Sequence, residues 1–110
     1  MGEVYWSWEA DVKDGHLESF KQNVVAQWNE VAAQDEHTLS NQWVIDEAGS
    51  AVKVYQRFTS AEHAFAQFAV NNGWGKLDDY LLPSGMYVSG DYGKTLDFLR
   101  EHGAVFMRNL

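Results

Sequence analysis

The sequence has no cysteine, a single proline and few basic residues. Without cysteine there is no disulfide bond, no thiol nucleophile and no cysteine-ligated metal site. Lysine and arginine number 8 against 16 aspartate and glutamate, a formal net charge of −8. Nucleic acids and anionic membranes are bound by clustered positive charge, so we expect neither as a partner.

Long apolar runs and targeting segments are also missing. No uncharged apolar run approaches the ~20 residues that span a bilayer. The segment Met1–Val4 has neither the basic start nor the apolar region of a signal peptide, so we expect a cytoplasmic protein. The 110 residues suit one domain covering residues 1–110, since compact domains usually have about 100–150 residues.

Aromatic residues, in contrast, are abundant. Five tryptophans, five tyrosines and six phenylalanines make up 15% of the chain. Aromatic side chains dominate protein cores, interfaces and ligand pockets. The composition therefore predicts a large interior or one shared with a partner, without choosing between them.

The spacing of apolar residues predicts the first elements. Strict alternation over residues 3–13 is typical of a half-buried strand. Apolar residues three or four apart, ending at Val31, predict a helix over residues 16–35 with Asp14 as its N-cap. Residues 39–46 and 51–58 alternate again and are joined by a short loop that contains glycine, which predicts a hairpin.

The second half continues the pattern. Ser60 is placed to cap a second helix, whose predicted apolar face includes Phe65 and Phe68. Residues 76–82 predict a short helical turn stopped by Pro83, and residues 86–89 predict a strand. A third helix ends at His102, before a final short strand over residues 104–107.

The resulting order is βαββαβ followed by a helix and a strand. It predicts an α+β, ferredoxin-like fold: a four-stranded antiparallel sheet with both helices on one face. The other face must be solvated or covered by a partner, and it is predicted to carry Tyr5, Ser7, Glu9, Val44, Tyr55 and Tyr87. The pattern leaves open whether the C-terminal helix and strand complete this sheet or reach a partner's.

Local features between residues 36 and 68 carry a resemblance to a known family. They are Thr38-Leu39, Trp43, Asp46-Glu47-x-Gly49, Tyr55-Gln56-Arg57-Phe58 and Ser60-Ala61-Glu62-His63-Ala64. Together with the element order, they resemble the antibiotic-biosynthesis-monooxygenase-like proteins of the dimeric α+β barrel superfamily. The resemblance covers residues 3–90.

The resemblance implies a homodimer, with two sheets packed face to face into a barrel and a pocket between sheet and helices in each subunit. Characterised relatives oxidise quinol-like or anthrone-like aromatics with O₂ and no cofactor, and some degrade haem. This chain departs from the family pattern. Gln56 stands where relatives often carry glutamate, and Gln67 or Phe68 stands where many carry histidine. The asparagine, tryptophan and histidine of the haem-degrading branch are missing, so we expect no haem and no other cofactor.

The four histidines are the ordinary candidates for a base that titrates near neutrality. His63 falls in the first turn of the second helix, where the helix dipole favours neutral imidazole, so it is the predicted catalytic base, with a bound water as the other candidate. A solvated helix-start residue is the alternative. His63→Ala should then lower turnover by roughly 10²–10⁴-fold. His16, His37 and His102 are expected to be solvated or capping, and no histidine spacing predicts a metal site.

Two amides and a set of aromatic residues complete the predicted site. Asn41 and Gln56 interrupt apolar strand faces, so they hydrogen-bond each other, the hairpin or a substrate oxygen. Trp74 is flanked by glycines and is predicted either to form the pocket mouth or to plug its own subunit. The acidic pair Asp78-Asp79 is expected to face solvent. The predicted substrate-binding residues are Trp6, Trp8, Trp43, Phe58, Phe65, Phe68 and Trp74, and the alternative is that they form the core.

Three functions remain open at this stage. The first is a cofactor-independent monooxygenase acting on a small aromatic molecule. The second is a non-catalytic dimer that binds a small hydrophobic ligand, and the third is a structural dimer of the same fold. The third predicts no pocket as large as the ~300 Å³ of ordinary ligand sites.

Overall fold

The structure, a computed structural model, describes residues 2–110, and for residues 72 and 73 it describes the backbone only. Met1, part of the N-terminal segment discussed above, lies outside the described residues. In chain order, the elements are β1 (Val4–Val12), α1 (Leu17–Phe20), a π-helical turn (Lys21–Val25), α2 (Ala26–Gln34), β2 (Thr38–Ile45), β3 (Ala51–Phe58), α3 (Ala61–Val70), a first 3₁₀ helix (Asn72–Asp79), β4 (Leu81–Gly90), a second 3₁₀ helix (Asp97–His102) and β5 (Val105–Met107).

The described strands form a five-stranded sheet in the order β2-β3-β1-β4-β5. β1 pairs antiparallel with both β3 and β4, and β2 pairs antiparallel with β3. The predicted α+β, ferredoxin-like arrangement is therefore confirmed. β5 adds to β4 of its own chain in parallel, so the C-terminal strand completes its own sheet, which is mixed rather than wholly antiparallel.

The predicted helix over residues 16–35 forms as α1, the π-helical turn and α2 in succession. His16, not Asp14, occupies the N-cap, and its side chain makes no capping hydrogen bond. The buried positions are Phe20, Val24, Trp28 and Ala32, each four residues after the last. A π-helical turn is wider than an α-helical one, so this spacing brings Ala32, rather than Val31, onto the core face.

The predicted helical turn before Pro83 is wrong in its position. The 3₁₀ helix lies earlier, over Asn72–Asp79, and β4 begins at Leu81 with Pro83 inside it. The β1–β4 register shifts at this point, because Glu9 pairs with Gly85 and Ala10 pairs with Pro83. A bulge leaves one residue out of the ladder, and this is where a strand tolerates a proline.

The two faces of the sheet differ as the alternation predicts. Val4, Trp6, Trp8 and Ala10 are buried beneath the helices. On the opposite face, Tyr5, Tyr55 and Tyr87 are 40–42% exposed. Within residues 2–110, no helix is long and apolar enough to cross a membrane.

Candidate functional site

A pocket of about 310 Å³ opens between the helix-covered face of the sheet and the two 3₁₀ helices. We call it the inner pocket. It is lined by Trp8, Ala10, Trp74, Leu77, Asp78, Leu81, Pro83, Ser84, Gly85, Met86, His102 and Gly103. Its volume is at the lower end of the range for small-molecule sites, about 300–1,000 Å³. The structural dimer among the three functions predicts no pocket as large as these sites, and this volume lies at that boundary.

The inner pocket arises from small residues and from the bulge in β4. Ala10 and Gly85 line it and contribute little side-chain volume beside the larger Trp8. At the bulge, the Ser84 hydroxyl donates to the Glu9 carbonyl at 3.1 Å. Lys13 Nζ donates to the Asp78 carbonyl at 2.6 Å, which ties the first 3₁₀ helix to the chain that follows β1. These contacts fix two walls of the pocket.

Two titratable side chains, Asp78 and His102, lie on the lining of the inner pocket. Both residues are exposed, so they stand at the pocket rim. From the sequence, Asp78 is expected to face solvent and His102 to be solvated or capping, with no link between them. They reach the same pocket only through the path of β4 and the second 3₁₀ helix, and no spacing in the sequence marks this arrangement. Among the described residues, no group of three or more histidine, aspartate or glutamate side chains could hold a metal ion.

All five tryptophans belong to one aromatic cluster. The Trp8 ring lies 6.0 Å from that of Trp28, 5.4 Å from that of Trp43 and 6.3 Å from that of Trp74. Trp6 joins the cluster through Trp74, 5.3 Å away between ring centroids. Only Trp8 and Trp74 of these also line the inner pocket, so the cluster is a core with one side open to a cavity.

The predicted phenylalanines lie around this cluster rather than on the pocket. Phe58 is fully buried and its ring lies 4.9 Å from that of Trp6. Phe68 contacts Trp74 at 4.8 Å. Phe65 is 44% exposed and packs on Phe98 at 5.5 Å. The buried face of α3 includes Gln67 in place of the predicted Phe65.

The two predicted amides lie side by side in a chain of hydrogen bonds. Trp6 Nε1 donates to Gln56 Oε1 at 2.8 Å, and Gln56 Nε2 donates to Asn41 Oδ1 at 2.9 Å. Asn41 Nδ2 then donates to Asn29 Oδ1 at 2.7 Å, which links the sheet to α2. Gln56 is only 2% exposed, so this chain satisfies a buried polar group that would otherwise be costly.

His63 lies at the start of α3, as predicted, but not on the inner pocket. Ser60 caps the helix by accepting the His63 backbone N–H at 3.3 Å. His63 Nδ1 lies 2.9 Å from Ser60 Oγ and 3.1 Å from Thr59 Oγ1. Its ring stacks on that of His37 with centroids 3.5 Å apart. The predicted base therefore faces a hydroxyl and imidazole cluster where β2 begins and β3 ends.

A third polar cluster surrounds Asp35 at the end of α2. Its carboxylate accepts the His37 backbone N–H at 3.0 Å, the Thr38 hydroxyl at 2.8 Å and Gln67 Nε2 at 3.0 Å. Burial alone would raise the pKa of Asp35, but these hydrogen bonds outweigh it and hold the pKa below its usual range. The cluster joins α2, β2 and α3.

The lowered pKa gives a pH-dependent prediction. Asp35→Asn should cost about 1–2 kcal/mol of unfolding free energy at pH 7, because three hydrogen bonds lose their charged acceptor. A carboxyl with a lowered folded-state pKa stabilises the fold above its unfolded pKa, near 4, and loses that contribution as the pH falls through the folded value. Urea unfolding from pH 7 down to pH 3 should show the gap between wild type and variant narrowing below pH 4. A gap that stays constant would contradict the assignment.

Comparisons with known proteins show which fold this is. Neither protein-family models nor curated protein sequences match the chain. Among solved structures, MupZ from Pseudomonas fluorescens has a TM-score of 0.85 and 13% identity, covering 100% of this chain and 92% of that one. A Nitrosomonas europaea protein named "Putative antibiotic biosynthesis monooxygenase" has a TM-score of 0.66 and 15% identity, covering 80% and 88% of the two chains.

A protein of the same printed name from Bordetella bronchiseptica has a TM-score of 0.61 and 15% identity, covering 83% of this chain and 98% of that one. The chain therefore has the fold of the antibiotic-biosynthesis-monooxygenase-like proteins, as the resemblance implied. At these identities, the likeness shows the fold and not the activity.

Proposed function

We propose that this protein is a monooxygenase-like enzyme that binds a small aromatic molecule in the inner pocket. The observation that carries the proposal is the pocket itself: about 310 Å³, with two tryptophans in its wall and His102 and Asp78 at its rim. An apolar cavity with a few converging polar groups is the usual form of a ligand site. The shared fold supports the class but supplies no substrate.

The reaction that suits such a pocket is oxygenation without a cofactor. A quinol or an anthrone loses a proton to a base, and the resulting anion reduces O₂. At an anthrone methylene, one oxygen atom becomes the new carbonyl oxygen and the other leaves as water with the two hydrogens. A quinol instead gives two electrons and two protons to O₂, which becomes hydrogen peroxide as the quinol becomes the quinone. We propose His102 as the base, because it is the histidine on the pocket lining. The set predicted from sequence, His63 with Asn41 and Gln56, is the rival site.

Oxygen consumption tests this proposal directly. The protein is incubated with anthrone or a quinol in air-saturated buffer while dissolved O₂ and the ketone or quinone product are both measured. We expect one O₂ consumed for each product molecule, at a rate well above that with heat-denatured protein. A rate equal to that of the denatured control would rule out catalysis on these substrates.

A non-catalytic binding protein is the second candidate. The hydrogen bonds between Asn41, Gln56 and Trp6 favour it, because these amides already have partners in place of a substrate oxygen. The exposure of Asp78 and His102 points the same way, since acid–base groups are most effective in sites that exclude water. Calorimetric binding of an aromatic molecule with no O₂ uptake would select this function over the first.

We further propose that the protein is a homodimer joined through the open face of the sheet. Tyr5, Val44, Tyr55 and Tyr87 form an exposed apolar patch there. The strongly acidic chain would repel a second copy of itself. This face, however, carries basic side chains beside its acidic ones. Arg57 Nε lies 2.9 Å from Glu3, and Lys53 Nζ lies 3.8 Å from Glu9. Because charges on this face are paired within one chain, two such faces can meet without large repulsion.

The dimer proposal predicts a change of mass on one substitution. Tyr87→Glu adds a carboxylate to the patch, opposite Ser7 on the neighbouring strand, and burying an unpaired charge in an interface costs several kcal/mol. Sedimentation equilibrium should give about twice 12.5 kDa for the wild type and 12.5 kDa for the variant. Glu18→Gln, on the exposed first turn of α1, is the matched control and should remain dimeric. A monomeric wild type would contradict the proposal.

A further inference from the structure

Two histidine rings lie face to face outside the inner pocket. The ring centroids of His37 and His63 are 3.5 Å apart, and the ring planes differ by 13°. His37 precedes β2 and His63 lies in the first turn of α3, and both residues are half-buried. We call this pair the histidine stack. It joins two elements through the side chain whose charge ordinarily changes between pH 5 and 8.

Hydroxyl groups hold both rings of the histidine stack. Thr59 Oγ1 lies 3.2 Å from His37 Nδ1 and 3.1 Å from His63 Nδ1, and Ser60 Oγ lies 2.9 Å from His63 Nδ1. A hydroxyl donates one proton, and a neutral imidazole has one donor and one acceptor nitrogen. Thr59 can therefore donate to one neutral ring and accept from the other. When both rings are protonated, both Nδ1 atoms are donors, so the Thr59 proton loses its acceptor.

The acidic side chains nearest the histidine stack lie beside His37. Glu36 Oε1 is 3.5 Å from His37 Nε2, and the Asp35 carboxylate accepts the His37 backbone N–H at 3.0 Å. A negative charge within this distance favours the charged form of an imidazole. The first proton that the stack takes up is therefore expected on His37.

The charged residues of the other two elements at the stack are engaged elsewhere. Glu62, in the first turn of α3, accepts the Thr95 hydroxyl at 3.0 Å. Arg57, near the end of β3, pairs with Glu3 at 2.9 Å. Neither element therefore brings a printed charge pair to His63.

A second proton, on His63, is opposed from two directions. It would place two positive rings 3.5 Å apart, where like charges repel. It would also put a positive charge in the first turn of α3, where the helix dipole is already positive. The unfolded chain has neither restriction, so it binds more protons than the folded chain as the pH falls through the histidine range. The contribution of the stack to stability is therefore present at pH 7.5 and lost towards pH 5.

We propose that the histidine stack is an acid-sensitive contact, which keeps α3 closed on the sheet at neutral pH and lets it open more often near pH 5.5. A ten-residue helix such as α3 depends on tertiary contacts for its stability. The helix also carries Phe68, whose ring lies 4.8 Å from that of Trp74 on the inner pocket wall. Opening of α3 would loosen this wall, whether the protein is an enzyme or a binding protein.

A second polar contact of α3 does not change over this pH range. Gln67 Nε2 donates to Asp35 Oδ2 at 3.0 Å. Burial raises the pKa of Asp35, but its hydrogen bonds lower it more, so the carboxylate stays ionised at pH 5.5. Because Gln67 keeps this acceptor, acid should raise the frequency of opening without detaching α3 completely.

Hydrogen exchange of the full chain, read by mass spectrometry, tests the proposal at pH 7.5 and pH 5.5. The rates are corrected for the intrinsic pH dependence of amide exchange. We expect the amides of α3 to exchange at least fivefold faster at pH 5.5, and those of α2 to change by less than twofold. No change in α3, or an equal change in both helices, would overturn the proposal.

Three glutamine variants show whether the two rings act together. His37→Gln and His63→Gln each remove one titrating ring and keep a side chain that can hydrogen-bond. Each should abolish the acid-dependent exchange of α3, and the double variant should match either single one, because the repulsion needs both rings. Effects that add would mean two independent histidines and would contradict the stack. His16→Gln, at an exposed residue before α1, is the matched control and should keep the wild-type response.

Urea unfolding gives a second measurement that does not depend on exchange rates. Between pH 7.5 and pH 5.5, the folding equilibrium constant of the wild type should fall about tenfold more than that of His63→Gln. An equal fall in the two proteins would also overturn the proposal.

Discussion

Alanine in place of His102 is expected to lower oxygen-dependent turnover of a quinol or anthrone by about 10²–10⁴-fold, the usual loss when a general base is removed. His102 is the histidine that lines the inner pocket, so it can reach a proton on a ligand held there. The loss should appear in kcat, with little change in ligand affinity, because the aromatic walls stay in place. Stopped-flow measurement of product formation and O₂ uptake gives both quantities.

His63→Ala is the matched control for this experiment. The His63 ring is held by Ser60, Thr59 and His37, so its loss should change turnover by no more than about twofold if the inner pocket is the site. The opposite result, a large loss at His63 and none at His102, would move the site to the set predicted from sequence. Equal small effects at both positions would favour the binding protein over the enzyme.

The sequence predicts most of the fold because its patterns are local. The alternation through Trp6, Trp8 and Ala10 requires only a strand with one buried face, and the structure confirms it. The predictions that are wrong are those in which tertiary contacts outweigh a local sequence preference. Pro83 is predicted to end a helical turn, but it lies within β4, at the position where the β1–β4 register shifts. Ala32 is buried in place of the predicted Val31 because of the π-helical turn, and no sequence pattern predicts that turn.

The candidate site was less predictable than the fold. The pairing of Gln56 with Asn41 was one of three alternatives that the sequence left open, beside the hairpin and a substrate oxygen. The meeting of Asp78 and His102 on one pocket depends on a bulge and on the return of the chain through the second 3₁₀ helix. Periodicity carries no information about such contacts. The glycines beside Trp74 were a real signal, but the sequence could not show that Trp74 both joins the aromatic cluster and lines the inner pocket.

The largest loss of stability is expected on replacing Trp8 with alanine, about 3–5 kcal/mol of unfolding free energy. Trp8 is 6% exposed and its ring contacts those of Trp28, Trp43 and Trp74, so the deletion leaves a cavity that the neighbouring strands cannot close. Such a loss is a large part of the 5–15 kcal/mol that stabilises a typical domain. Urea unfolding followed by circular dichroism measures it.

Trp74→Ala, measured in the same way, should cost less than about 2 kcal/mol, although it removes the same side chain. Trp74 is only partly buried, so its replacement by alanine removes less buried apolar surface than the same change at Trp8. Equal losses at the two positions would mean that both tryptophans are simply core. A smaller loss at Trp74 than at Trp8 would mean that the buried Trp8 side of the cluster holds the fold together, while the Trp74 side, which also lines the inner pocket, contributes less.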